Sequence, residues 1–156
     1  MRVILLLIGN RMPGWVNTGT EEYSKRLAGD IRLELDEIAM PRRDGRPVAQ
    51  LIDREAELLE KRLQKYPGAY RVALEVRGKR LDTPALAKRL GRFRDEGRDM
   101  VLLVGGPDGL SPALSASCDE RWSLSDLTLP HPLVRILLAE QIYRGWSLLT
   151  GHPYHR

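Results

Sequence analysis

A chain of 156 residues, 42% hydrophobic and 29% charged, is long enough for one domain with a sizeable core, and its composition excludes a disordered chain. Twenty-five Lys and Arg against 21 Asp and Glu leave a formal charge of +4, which permits a nucleic-acid partner without requiring one. The single cysteine, Cys118, excludes an internal disulfide and a cysteine-cluster metal site, and it suits a reducing compartment.

Val3 to Ile8 is a continuous apolar run, the pattern of a strand covered on both faces. It faintly imitates a secretory signal, but Asn10-Arg11-Met12-Pro13 offers no small-residue cleavage site, so a buried strand and a cytoplasmic protein are expected. Thr18-Gly19-Thr20-Glu21 has capping-box spacing, and it predicts a helix with Tyr23, Leu27 and Ile31 on one stripe. Leu33 to Ile38 half-alternates as a strand, and Pro41 to Pro47 is a loop carrying Arg42, Arg43 and Arg46. Pro47 opens a helix to about Gln64 with Leu51, Leu58 and Leu59 inward.

Tyr70 to Val76 reads as a strand ended by Arg77-Gly78-Lys79, and Asp82-Thr83-Pro84 starts a helix that Gly97 stops. Met100 to Val104 is the most buried-looking strand and leads into Gly105-Gly106-Pro107-Asp108-Gly109. Ser111-Pro112 opens a short helix, and Trp122 to Leu129 reads as a short strand or extended loop. Pro130-His131-Pro132 precedes the last helix. The apolar run from Leu133 to Thr150 contains Arg135, Glu140 and Arg144, which argues against a membrane span. Strands alternating with helices predict one α/β domain over residues 1–156, a mostly parallel sheet with helices on both faces.

Ligands of open α/β sheets gather at the carboxyl ends of strands, where the loop from Gly105 to Gly109 falls. Three glycines in five residues let backbone approach a ligand closely, although a simple tight turn explains them equally well. The loop lacks the Gly-Lys-Ser/Thr of a P-loop, and its first two glycines are adjacent, unlike a dinucleotide fingerprint. Ser123 to Pro132 could present amides and carbonyls to an adenine edge between leucines; an ordinary strand and a Pro-x-Pro bend is the plainer reading. All three histidines fall near the end, two of them in His152-Pro153-Tyr154-His155-Arg156. No His, Asp or Glu set has metal-ligand spacing, so no metal is expected.

Taken in order, Leu103-Val104-Gly105-Gly106-Pro107-Asp108-Gly109-Leu110-Ser111, Trp122-Ser123-Leu124-Ser125, Leu127-Thr128-Leu129-Pro130-His131, Arg135, Glu140 to Arg144 and the closing His152 to Arg156 resemble one family. It is that of the bacterial SPOUT-class methyltransferases acting on N3 of a pseudouridine in 23S ribosomal RNA. Met12 to Val16, Glu22-Tyr23, Leu74 and Gly78-Lys79 extend the likeness over essentially the whole chain. Two departures are Leu81-Asp82-Thr83-Pro84, where relatives often carry a serine pair, and Gly14, where some have an acidic residue.

The resemblance implies a C-terminal trefoil knot, an obligate homodimer, and S-adenosyl-L-methionine held in the knot. The cofactor contacts it implies are Leu74, Gly105, Gly106 and the loop Leu124, Ser125, Asp126, Leu127, Thr128, Leu129 and Pro130. It implies a catalytic role for the tail. His155 is a candidate base, Arg156 and Arg144 would hold uracil carbonyls or phosphate, and Tyr154 would stack on or hydrogen-bond the base. His131 is a second candidate base, though a turn histidine between prolines is its plainer reading, and Glu140 is expected to pair with Arg144 at i+4.

Arg42, Arg43, Arg46, Lys79, Arg80, Arg89, Arg92 and Arg94 are candidate RNA contacts, most of them expected to be solvated faces. So modest a basic surface suggests 23S rRNA within assembled ribosomes as partner rather than naked RNA. The alternatives are a SPOUT methyltransferase acting on another RNA and a non-catalytic RNA- or ribosome-binding protein.

Overall fold

The computed structural model describes residues 1–156. Its strands are β1 (Arg2–Ile8), β2 (Arg32–Ile38), β3 (Tyr70–Arg80), β4 (Met100–Val104) and β5 (Glu120–Ser123). They form one sheet in the order β2-β1-β4-β3-β5, and every neighbouring pair is parallel. The helices are α1 (Gly14–Ser24), α2 (Val48–Leu63), α3 (Thr83–Asp95), α4 (Pro112–Ser117) and α5 (His131–Thr150), with a 3₁₀ turn at Pro153–His155. No helix is long and apolar enough to cross a membrane.

Because strand side chains alternate between faces, β1 serves two cores at once. Val3, Leu5 and Leu7 meet Leu90 and Phe93 of α3 and Leu138 and Ile142 of α5. Ile4, Leu6 and Ile8 meet Ala56, Leu59 and Leu63 of α2 and Leu114 of α4. This double coverage is why β1 and β4 read as unbroken apolar runs. Helices therefore lie on both faces, and the sheet is wholly rather than mostly parallel.

The helix boundaries follow their caps. Asp82 accepts from the Ala85 amide at 2.8 Å, Ser111 from the Leu114 amide at 3.0 Å, and Gly97 leaves α3 with φ +65°. The capping box expected at Thr18 is not used. Pro13, extended at ψ 149°, starts α1 five residues earlier, and the Thr20 hydroxyl donates to the Val16 carbonyl at 2.8 Å inside the helix. α1 ends at Ser24, so Ile31 reaches the core from the segment leading into β2 rather than from a helical stripe. β5 stops at Ser123, leaving residues 124–130 as a loop, and β3 runs past Val76 to Arg80 across a register break between Leu74 and Lys79.

Candidate active site

A parallel sheet places all its carboxyl ends along one edge, and a cavity of about 770 Å³ opens there. That volume suits a cofactor-sized ligand. Its floor includes Ile8 and Val104, and its walls come from residues 74–76, 105–110 and 122–131.

The glycine loop fits its surroundings without room for side chains. A Cβ on Gly105 would lie 2.7 Å from the Gly109 carbonyl carbon, and one on Gly106 would lie 2.7 Å from Glu55 Oε1. The Gly109 amide donates to the Gly106 carbonyl at 3.0 Å, closing the turn with Gly109 at φ +82°. Glu55, 4% exposed on α2, sits behind this turn with its carboxylate close against Gly106. Leu51, Glu55 and Leu59 share one helical stripe, and the sequence signal for Glu55 is an acid on that otherwise apolar stripe.

Burial pushes the Glu55 carboxyl above its ordinary range, against the Gly106 amide. Such a group favours the folded state while protonated and loses that contribution as pH rises through its folded-state value. Replacing Glu55 with Gln should therefore raise stability relative to the parent at neutral pH. The difference should shrink toward about pH 4, where unfolded carboxylates protonate. Urea midpoints across that range check this, and a difference that is flat with pH would contradict it.

Of the expected cofactor contacts, Leu74, Gly105, Gly106, Leu124, Ser125, Leu127, Thr128, Leu129 and Pro130 all line the cavity. Asp126 does not: its carboxylate turns outward to Arg80 at 2.9 Å. The loop holds its own shape, since Ser123 donates to the Ser125 carbonyl at 3.1 Å and the Ser125 hydroxyl accepts from the Leu127 amide at 3.0 Å. Leu124 and Leu127 stay exposed as apolar surfaces at the mouth. His131, the first residue of α5, also lines the cavity, and its buried Nε2 has no partner. Burial and then the Arg135 guanidinium push this imidazole down, so it is neutral near pH 7. Arg135 itself is 1% exposed, pairs with Glu37 at 2.7 Å and donates to the Gly9 carbonyl.

The tail lies elsewhere. Tyr154 packs on Tyr143 with ring centroids 4.5 Å apart, donates to Glu140 Oε1 at 3.0 Å and lies under the Arg144 guanidinium. Burial, then the bond to Glu140, pushes its phenol up to about 12, so it stays a proton donor. Arg144 pairs with Glu140 at 2.7 Å, the i+4 pair expected. His155 Nδ1 is 3.4 Å from the Ser147 hydroxyl, and Arg156 is exposed. None of Arg144, Tyr154, His155 and Arg156 lines the cavity. Arg144 follows His131 by thirteen residue steps, about 20 Å along α5. The two halves of the expected site are thus apart within one chain.

Most of the candidate RNA cations are occupied: Arg43 by Asp108, Arg80 by Asp126, Arg89 by Glu120, Arg92 by Glu96, and Arg94 by Asp30 and Asp95. Arg42, Arg46 and Lys79 have no ion-pair partner. No group of three or more His, Cys, Asp or Glu is arranged to hold a metal ion.

An all-parallel sheet with a glycine-lined cavity at its carboxyl edge defines an α/β ligand-binding domain. Residues 1–155 match the family model described as "Predicted SPOUT methyltransferase", and the chain belongs to that family. It is 62% identical over 160 residues to "Ribosomal RNA large subunit methyltransferase H" of Alcanivorax borkumensis, covering 100% of both chains. It is 52% identical over 157 residues to the protein of the same name in Bordetella pertussis, covering 100% of this chain and 99% of that one. In fold it is similar to the solved "Probable Methyltransferase from Bordetella pertussis Tohama I", with TM-score 0.55, 17% identity and coverage of 92% and 95%. A "probable methylase family protein from Haemophilus influenzae Rd KW20" aligns with TM-score 0.58 and 11% identity, over 99% of this chain and 70% of that one.

Proposed function

We propose that this protein is an S-adenosyl-L-methionine-dependent methyltransferase of large-subunit ribosomal RNA whose target is N3 of a pseudouridine in 23S rRNA. It acts as a cytoplasmic homodimer on assembled ribosomes, with its C-terminal part threaded as a trefoil knot. The observation that carries the reading is one cavity assembled from Leu74, Gly105, Gly106 and residues 124–130, in a chain 62% identical over its full length to a large-subunit rRNA methyltransferase.

The cavity fits the cofactor. It offers backbone groups from two loops, the Ser125 and Thr128 hydroxyls, and leucines suited to cover a purine ring. When bound, S-adenosylmethionine supplies an electrophilic methyl carbon. The chain's own residues do the rest. Holding the ring nitrogen in line with the methyl group is worth about 7–11 kcal/mol in favourable cases. The acceptor N3–H must lose its proton, because the nitrogen lone pair is otherwise conjugated with the ring carbonyls. His155 is the proposed acceptor for that proton. Tyr154, held protonated, donates to or stacks on the base, while Arg156 and Arg144 hold carbonyl or phosphate oxygens.

Because the tail and the cavity lie apart in one chain, the tail of each protomer serves the cavity of its partner. Trp15 on α1 is 57% exposed, and Leu133 and Leu137 on α5, the helix packed against α1, are exposed too; together they offer apolar surface suited to a second copy. Arg42, Arg46 and Lys79, the unpaired cations of the candidate set, are the proposed phosphate contacts.

The test incubates the protein with methyl-labelled cofactor and, separately, free 23S RNA, large subunits and assembled ribosomes. Label in N3-methylpseudouridine, strongest with assembled ribosomes, is expected. Label in another nucleoside would move the target. No transfer together with no saturable cofactor binding would end the enzyme reading.

A further inference from the structure

β3 does not enter the cavity as a regular strand. Leu74 and Lys79 both register with Trp122 of β5, so residues 75–78 loop out of the ladder between them. A bulge re-aims the side chains it carries, and bulges gather beside active sites. Gly78 permits this one: a Cβ there would lie 2.5 Å from the Trp122 carbonyl carbon. Glu75 within the bulge lines the cavity, and its buried Oε1 has no hydrogen-bond partner. Buried polar oxygens are almost always paired, so this one is placed for a partner the protein does not supply.

The other acids near the cavity are committed. Asp108 holds Arg43, Asp126 holds Arg80, and Glu55 is packed behind the turn at Gly106. We propose that Glu75 is a specificity-determining residue, the counter-charge that receives a cationic group of the methyl donor. The inference rests on reading the cavity as the S-adenosylmethionine site. The donor carries two positive centres, a sulfonium and an α-ammonium. The spent thioether product keeps only the ammonium, and 5′-methylthioadenosine has neither.

Calorimetric titration of the parent protein and Glu75→Gln with these three compounds tests it. Removing the carboxylate's charge should weaken S-adenosylmethionine by about 10- to 100-fold, the scale of a contact between charged groups. Methylthioadenosine should hold within about twofold, and Glu75→Asp should recover part of the lost affinity. A parallel loss for the thioether product assigns the contact to the ammonium. An unchanged product affinity assigns it to the sulfonium and makes Glu75 the residue that favours fresh donor over spent product. Glu75→Met, similar in length and uncharged, repeats the test should the glutamine variant fail to fold. Unchanged S-adenosylmethionine affinity, or equal losses for all three compounds, overturns the proposal. Absence of binding to the parent protein would instead overturn the reading of the cavity.

Discussion

Removing Tyr154, His155 and Arg156 is expected to abolish methyl transfer while cofactor affinity and dimerisation stay as in the intact chain. The tail's contacts are local: one ring pair with Tyr143, the Arg144 guanidinium over the Tyr154 ring, one bond to Glu140 and one contact with Ser147. Burying part of one aromatic ring and making one hydrogen bond contribute about 2–3 kcal/mol together, within what a domain of this size tolerates. Within one chain no tail residue lines the cavity, and the partner's tail is proposed to reach the base rather than the cofactor, so the cofactor should bind unchanged. Activity has no such reserve, because a positioned base alone contributes roughly 10²–10⁴-fold and the tail also aligns the ring. Transfer of labelled methyl, calorimetry and sedimentation on the truncated chain separate the three quantities. A collapse of cofactor affinity would make the tail structural, and persistent transfer would remove it from the reacting centre.

Gly105→Ala should have the opposite profile, losing cofactor binding first. The added methyl would sit 2.7 Å from the Gly109 carbonyl carbon, 2.8 Å from its oxygen and 2.9 Å from the Leu110 amide nitrogen. All three are backbone atoms, so no rotamer change relieves the clash and the turn itself must move. Overpacking of this kind costs about 1–3 kcal/mol, and displacing the cavity wall should lower cofactor affinity at least ~10-fold, on the scale of one lost hydrogen bond. A thermal melt and a binding isotherm on the variant check both effects. Unchanged affinity would mean that the loop does not wall the cofactor site.

Much of this architecture was readable because parallel strands buried on both sides need apolar residues at every position. Val3 to Ile8 and Met100 to Val104 satisfy that demand, and Asp82, Ser111 and Gly97 mark helix ends with side chains or backbone freedom that little else uses. The start of α1 was misplaced because Thr18 to Glu21 imitates a cap, while Pro13 sets the boundary through its own backbone angles. Glu75 was missed for a different reason. A looped-out stretch depends on the register between β3 and β5, and nothing local to Glu75 records the residue that Trp122 pairs with. The distance between tail and cavity was equally hidden, since it follows from the unbroken length of α5.

The position of β1 between β2 and β4 also governs how the molecule comes into being. Val3 lies opposite Met100, so the centre of the sheet cannot close until the chain as far as β4 has been synthesised. Arg135 then ties α5 back to Glu37 and Gly9. Pairings of such separation lose loop entropy before any contact repays it, and they make folding slow. Throughout that interval the apolar edge of β1 stays unpaired on the ribosome, an invitation to aggregation and hence a surface for chaperones.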